Sequence, residues 1–375
     1  MTEQEIIYTI ALSRLPRLSL AAQHELLSAA GSATALYENR QDIRKLLPEA
    51  NDCVQEALSQ MDTQLHRAEE ELQFAQRGHI QCIGLNDAAY PARLRECADA
   101  PIILFYKGKA DLNACHVLAM VGTRQISDYG RDVCRHFVEE LASLCPDILI
   151  VSGLAYGVDI RCHRAALENN LSTVAVLAHG LDQIYPRNHR DDAIQMLEMG
   201  GLVTEFLSQT NPDKKNFVQR NRIVAGMSDA TIVVESAAKG GSLITADMAA
   251  GYHRDVFAFP GRVYDTYSVG CNQLIRKNKA SLLTSAEDFM EAMGWETAEA
   301  RTEKLSEGVQ QELFPDLTAD ERLVVETLRN CDGMQINLLA QKTGLPVSAL
   351  TSMLFSLEMS GIVAMKSGGT YRLLR

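Results

Sequence analysis

The chain has 375 residues, length for two or three domains. Its 46% hydrophobic and 22% charged content is an ordinary folded composition that excludes a disordered protein. With 36 Lys and Arg against 48 Asp and Glu the net charge is −12, which argues against histone-like coating of DNA but leaves room for a local basic groove. No apolar run reaches the roughly 18 residues of a membrane span, and the N-terminal Met1-Thr2-Glu3-Gln4-Glu5 lacks the basic-then-apolar order of a signal peptide.

Residues 1–80 read as a helical domain. Ile6–Leu15 and Leu20–Ala30 form short helices around Pro16, and Val54, Leu58, Met61, Leu65, Ala68, Leu72 and Ala75 make one apolar stripe, at steps of four and three, that Gly78 is placed to end. The stripe packs on its own domain or pairs with another chain. From 81 to 295 short apolar runs alternate with amphipathic segments. Expected strands are Ile102–Tyr106, Val117–Val121, Ile148–Val151, Thr173–Leu177, Leu202–Thr204, Thr231–Val234 and Val256–Phe259. Expected helices include Tyr129–Leu144, Asp159–Glu168, Asp191–Met199 and Phe217–Gly226. Nearly continuous apolar strands alternating with helices predict a doubly wound α/β domain whose parallel sheet is covered on both faces.

Residues 296–317, rich in Glu, read as an acidic linker. The last unit, 318–375, offers helices at Leu323–Leu328, Ile336–Thr343 and Val347–Ser360, then a hairpin of Ile362–Met365 and Tyr371–Leu374 turning at Ser367-Gly368-Gly369. That order predicts a winged helix. Its recognition-position segment, Pro346–Gly361, carries Glu358 and no Lys or Arg, which favours a protein-contact or regulatory module over a DNA reader.

The nine cysteines are scattered and form no CxxC pair, so neither a zinc site nor a disulfide framework is expected, and most sit in apolar stretches as small core residues. A reducing cytoplasm is the expected compartment.

Ligands of an open parallel sheet bind beyond the carboxyl ends of its strands. Four such ends are rich in small and polar residues: Gly122-Thr123-Arg124, Ser152-Gly153-Leu154-Ala155-Tyr156-Gly157, Ala178-His179-Gly180, and Glu235 through Gly240-Gly241-Ser242. Converging glycine turns beside an arginine point to a phosphate site. A nicotinamide cofactor is not indicated, because GTRQISDYG lacks G-x-G-x-x-G, and no P-loop occurs. The run Lys214-Lys215-Asn216-Phe217-Val218-Gln219-Arg220-Asn221-Arg222 mixes cations with an aromatic, as expected where phosphates and a stacked base are held together, although such a run also suits a solvated face. On a helix Arg220 and Arg222 point about 200° apart, so only one can face a given ligand unless the helix begins later. Glu205, Glu235, Asp182 and Asp247 could reach the same edge, with His179 in a turn, but no catalytic constellation accompanies them. Glu235 reads either as a general acid or base or, more simply, as a residue that caps a helix or holds an Arg.

Val121-Gly122-Thr123-Arg124, Ser152 through Asp159, Tyr185-Pro186-Arg187-Asn188, Arg220 through Ser228, Val233-Val234-Glu235 leading to Gly241-Ser242, and Gly270-Cys271-Asn272-Gln273 resemble, in order, motifs of the DNA-processing protein A (DprA, or Smf) family. The resemblance covers about 120–275, and the flanking units fit it. It implies an extended Rossmann-like fold that binds single-stranded DNA, dimerises through that domain, receives incoming strands in natural transformation and helps load the RecA recombinase, with no metal or nucleotide cofactor and no catalytic residue. The implied anion pocket comprises Gly122, Thr123, Arg124, Ser152, Gly153, Arg220, Asn221, Gly241 and Ser242, with Lys214, Lys215 and Phe217 as a rim. Arg222 and Gly240 complete the candidate DNA-binding set.

The sequence departs from the family pattern in three places. His179 stands where glycine is usual, Val218-Gln219 replaces a proline, and Arg17-Leu18-Ser19 occupies a glycine-containing helix-hairpin-helix turn, which speaks against duplex contact there. An enzyme is the alternative class, since Glu235 before Gly240-Gly241-Ser242 also resembles the phosphate-binding turn of phosphoribohydrolases of the lysine-decarboxylase-like group acting on nucleoside monophosphates.

Overall fold

The computed structural model describes residues 1–48, 50–298, 317–329, 331, 333–366 and 369–374. The expected acidic linker and the hairpin residues 367 and 368 therefore lie largely or wholly outside the described residues. The N-terminal unit contains α1 (Glu3–Ser13), α2 (Leu20–Ala30), α3 (Ala33–Glu38), α4 (Asp52–Ser59) and α5 (Asp62–Gly78). The single helix expected from Val54 to Gly78 is thus two. Around Met61 the backbone closes tighter i→i−3 bonds, Met61 to Leu58 and Gln64 to Met61. Ser59 and Thr63 also donate their hydroxyls back to the Glu56 and Gln60 carbonyls, a local competition with the helical ladder. Periodicity cannot register this, because the buried Met61 keeps its place in the stripe. Gly78 is the last residue of α5, and the left-handed cap falls on His79 at φ 51°. Arg17, between α1 and α2, is left-handed at φ 64°.

The central unit is built from β1 (Gln81–Gly84), α6 (Ala92–Arg95), β2 (Ile103–Gly108), β3 (Val117–Val121), α7 (Asp128–Leu144), β4 (Leu149–Ser152), α8 (Val158–Glu168), β5 (Ser172–Val176), α9 (Arg190–Met199) and β6 (Gly201–Thr204). It continues through α10 (Lys214–Gly226), β7 (Ala230–Val233), α11 (Gly241–Gly251), β8 (Asp255–Ala258), α12 (Val269–Arg276), β9 (Ser281–Leu282) and α13 (Ala286–Met293). The nine strands form one sheet in the order β1-β2-β6-β5-β4-β3-β7-β8-β9. From β6 to β9 every pairing is parallel, while β1 and β2 add an antiparallel edge. The doubly wound expectation holds, with that edge added. Alternation along β3 shows the two covered faces. Val117, Ala119 and Val121 pack with α10, α11 and α12, whereas Leu118 and Met120 pack with α7, α8 and α13.

After β6 the chain crosses back through α10 to β7, on the far side of β3. This reversal of strand order opens a crevice at the carboxyl ends of β3, β4 and β7, the place where doubly wound sheets hold ligands.

The C-terminal unit comprises α14 (Ala319–Arg329), α15 (Ile336–Thr343) and α16 (Val347–Met359), with β10 (Met334–Gln335), β11 (Val363–Lys366) and β12 (Thr370–Leu373) in a three-stranded sheet. Its core includes Leu328, Leu339, Leu350, Leu354 and Leu357, and Ala92 of the central unit packs against it. A disulfide joins Cys115, ahead of β3, to Cys331, after α14, with Cα atoms 6.6 Å apart. This corrects the expectation from the cysteine pattern. A separation of 216 residues leaves no local spacing to read. Cys97, Cys134, Cys145, Cys162 and Cys271 are buried, as a small apolar side chain would be.

Candidate nucleic-acid interface

Two helix starts and three strand ends shape a cleft of about 370 Å³. One wall is the first half of α10. Asp213 caps this helix, its carboxylate accepting from the Lys215 and Asn216 amides at 3.0 and 3.1 Å. Lys214 and Lys215 follow in the first turn, where a cation works against the helix dipole by roughly 0.3–1 kcal/mol. Local stability does not explain them; an anion opposite this turn would. The other wall is the start of α11, where Gly240 occupies the cap without any side-chain hydrogen bond to the first amides. That leaves backbone N–H donors free to meet a phosphate.

The floor is charged. Arg220, only 4% exposed, lies beneath Gly153 and donates to the Val176 carbonyl. Asp159 flanks the same glycine, so that a Cβ at Gly153 would collide with both side chains. Burial pulls the Arg220 pKa down and Asp159 opposes it; burial likewise pushes the Asp159 carboxyl up against the pull of Arg220. Gly122 is needed for a similar reason, since a Cβ there would strike Val158. Above the floor the exposed Arg124 guanidinium carbon stands 4.9 Å from the centroid of the Phe217 ring. Tyr185, 44% exposed, lies on Phe217 with centroids 5.9 Å apart. A guanidinium and two aromatic rings at the mouth of an anion cleft offer a phosphate contact beside a stacking surface.

Of the residues singled out in the sequence, Gly122, Thr123, Arg124, Gly153, Lys214, Phe217, Arg220, Asn221, Gly240, Gly241 and Ser242 line this cleft. Three others do not. Ser152 is buried and gives its hydroxyl to the Met120 carbonyl at 2.5 Å. Lys215 is exposed on α10 beside the cleft. Arg222 points away and is held 2.5 Å from Glu205, both side chains nearly buried. The 200° divergence of Arg220 and Arg222 is therefore realised, and α10 starts at Lys214 rather than later. Only three of the four glycine turns meet. The Ala178-His179-Gly180 turn stays outside, because Gly180 is packed on the Leu207 and Ser208 backbone.

His179 is buried, donates from Nδ1 to the Gly180 carbonyl, and accepts the Tyr185 amide on Nε2 at 3.3 Å. It thus anchors the loop that carries Tyr185 instead of filling the cleft. Glu235 does not line the cleft either. Its carboxylate accepts from the Ser127 amide at 2.9 Å and the Ser127 hydroxyl at 2.5 Å, so it holds in place the residue whose own hydroxyl caps α7.

Asp159, Lys239 and Tyr185 were not expected at the site from the sequence. Lys239 lies within the very turn that ends in Gly240 and faces the cleft. Tyr185 stood inside a family motif, but nothing in its spacing places it against Phe217.

His163 supports the floor from below. Fully buried, it donates from Nε2 to the Gly153 carbonyl at 2.6 Å and faces the Thr173 hydroxyl with Nδ1 at 2.6 Å. Burial lowers its pKa to about 4. An open imidazole titrates near ~6.5, so as pH falls the unfolded chain takes up this proton first. The His163 contribution is complete above ~pH 6.5 and is lost between there and about pH 4, on the order of 3 kcal/mol in all. Urea titrations across this range are expected to show that slope in the wild type and its absence in H163Q.

A family model described as DNA recombination-mediator protein A matches residues 81–294, which carry the whole sheet and the cleft. The chain belongs to this family. A second model, the DprA winged helix domain, matches 311–369. Among curated relatives, Protein Smf of Escherichia coli K12 is 38% identical over 296 residues, covering 76% of this chain and 75% of that protein. The DNA processing protein DprA of Streptococcus pneumoniae R6 is 39% identical over 204 residues, 54% of this chain and 71% of that one. The solved structure of DNA processing protein A from Streptococcus pneumoniae aligns with TM-score 0.62 and 32% identity, over 78% of this chain and 98% of that chain. A Helicobacter pylori DNA processing protein A, described for its single-stranded DNA binding mode, aligns with TM-score 0.51 and 29% identity, over 57% of this chain and 96% of its own. Among the described residues no helix is long and apolar enough to cross a membrane.

Proposed function

We propose that this family member binds single-stranded DNA in the cleft between α10 and α11 and acts by holding the strand, without catalysis. The observation that carries the reading is the joint placement of Arg124, Lys214 and the uncapped α11 start around a floor charged by Arg220, with Phe217 and Tyr185 at the mouth. Phosphates would meet the cations and amides, and bases would stack on the rings, a combination that tolerates any sequence. The commitment of Glu235 to Ser127 speaks against the phosphoribohydrolase alternative.

The family resemblance supports a role in natural transformation and recombination, in which the bound strand is passed to RecA by a homodimer of the α/β unit in the cytoplasm. The winged helix fits a protein-contact role, since its cation-free α16 exposes Phe355 and Met359, at 66% and 75%.

The test is a fluorescence-anisotropy titration of a labelled dT oligonucleotide at two salt concentrations, with a nucleoside monophosphate incubated in parallel. Tight binding that weakens steeply with salt, with no base released from the nucleotide, is the expected result. Absence of binding at low salt, or release of free base, would contradict it.

A further inference from the structure

Arg124 lines two clefts. Besides the one described above it borders a second, of about 360 Å³, on the opposite face of the sheet edge, walled by the first turns of α7 and α8. Arg131, Arg161 and Arg164 line this second cleft together with Tyr156. Arg131 is paired with Asp128 at 2.5 Å and Arg164 with Asp192 at 2.7 Å, whereas Arg161 is exposed and makes no ion pair among the described residues. With Arg124, four guanidiniums stand against three carboxylates, since Glu168 also acts on Arg164. That local excess of positive charge makes this face attractive to an anion.

Tyr156 adds the second half of a nucleic-acid site. It is 47% exposed, and its ring meets the buried His189 at 73° with centroids 4.9 Å apart, so that contact leaves a ring face uncovered. His189 is itself fixed by donating from Nδ1 to the Leu154 carbonyl at 2.9 Å. The fixed His189 thus supports the Tyr156 ring from one side, which suits a stacking platform.

We infer that the single strand does not end in the first cleft but crosses the sheet edge at Arg124 and continues through the second, with phosphates against Arg161 and Arg131 and a base on Tyr156. This extension rests on the single-strand reading proposed above. It gives the strand a path over the α7 and α8 face, so the length of DNA held exceeds what the first cleft alone accommodates.

The experiment compares labelled dT oligonucleotides of about 6 and about 15 residues, lengths within the span of known single-strand sites, on the full chain at several salt concentrations. The wild type, R131A/R161A and Y156A are used, each checked for an unchanged melting temperature. For the longer oligonucleotide, R131A/R161A is expected to lower affinity about tenfold and to reduce the slope of log affinity against log salt by about 1.4, at ~0.7 per neutralised phosphate. Y156A should lower it about tenfold without changing the slope, as removal of one stacked base does. The short oligonucleotide should bind all three proteins alike. Equal affinity and slope for the longer strand, or equal losses at both lengths, would overturn the second track. Failure of the wild type to hold either length would instead overturn the single-strand reading itself.

Discussion

Replacing Arg124 and Lys214 together by glutamate is expected to weaken binding of a dT oligonucleotide by about 10²–10⁴-fold at low salt. Both side chains line the cleft, one on the β3 end and the other on the first turn of α10. A hydrogen bond to a charged group contributes about 1.5–3 kcal/mol, so removing two of them costs roughly 3–6 kcal/mol. The reversal also places carboxylates where the phosphates would pass. Stability should move little, because both residues are exposed and neither forms an ion pair among the described residues. Loss of Lys214 in fact relieves α10 of a cation at its positive end. Anisotropy titration and thermal melting of the double variant check both halves of the expectation. A variant that binds like the wild type would remove the cleft from the path of the strand.

Asp159→Ala is expected to destabilise the protein by about 3–5 kcal/mol, the scale for breaking a buried charge pair from one side. Arg220 lies under Gly153 almost out of reach of water, and with Asp159 gone it is left facing the field of another cation, Arg124. The Ala155 amide also loses the acceptor it meets at 3.3 Å. Replacing both partners, as in D159L/R220M, should recover most of the loss, since two apolar groups leave no charge uncompensated. Chemical denaturation of the single and double variants measures the difference. If the double variant is no more stable than D159A, the pair is not what holds the floor.

Most of the architecture was legible because parallel strands buried on both faces read as continuous apolar runs. Each of the seven expected strands is present within a residue or two of its expected ends. The misses have physical causes. Gln81–Gly84 is short and mixed in polarity, Ser281–Leu282 and Met334–Gln335 have two residues each, and such strands exist through their neighbours rather than their own pattern. At the site, glycine turns announced the strand ends, and helical geometry separated Arg220 from Arg222. What stayed hidden depends on crossings. Arg131, Arg161 and Arg164 lie on two helices and come together with Arg124 only when α7 and α8 pack side by side over the sheet. Tyr185 meets Phe217 across a loop anchored by His179.

The most direct test of a strand in the cleft is photocrosslinking of a dT oligonucleotide carrying a photoreactive thymine, followed by peptide mapping of the full chain. Adducts are expected at Tyr185 and Phe217, with further ones in the peptides around Lys214 and around Lys239 to Ser242. Adducts confined to the N-terminal helices or to the winged helix would contradict this placement, because the strand would then be held far from the crevice at the sheet's carboxyl edge.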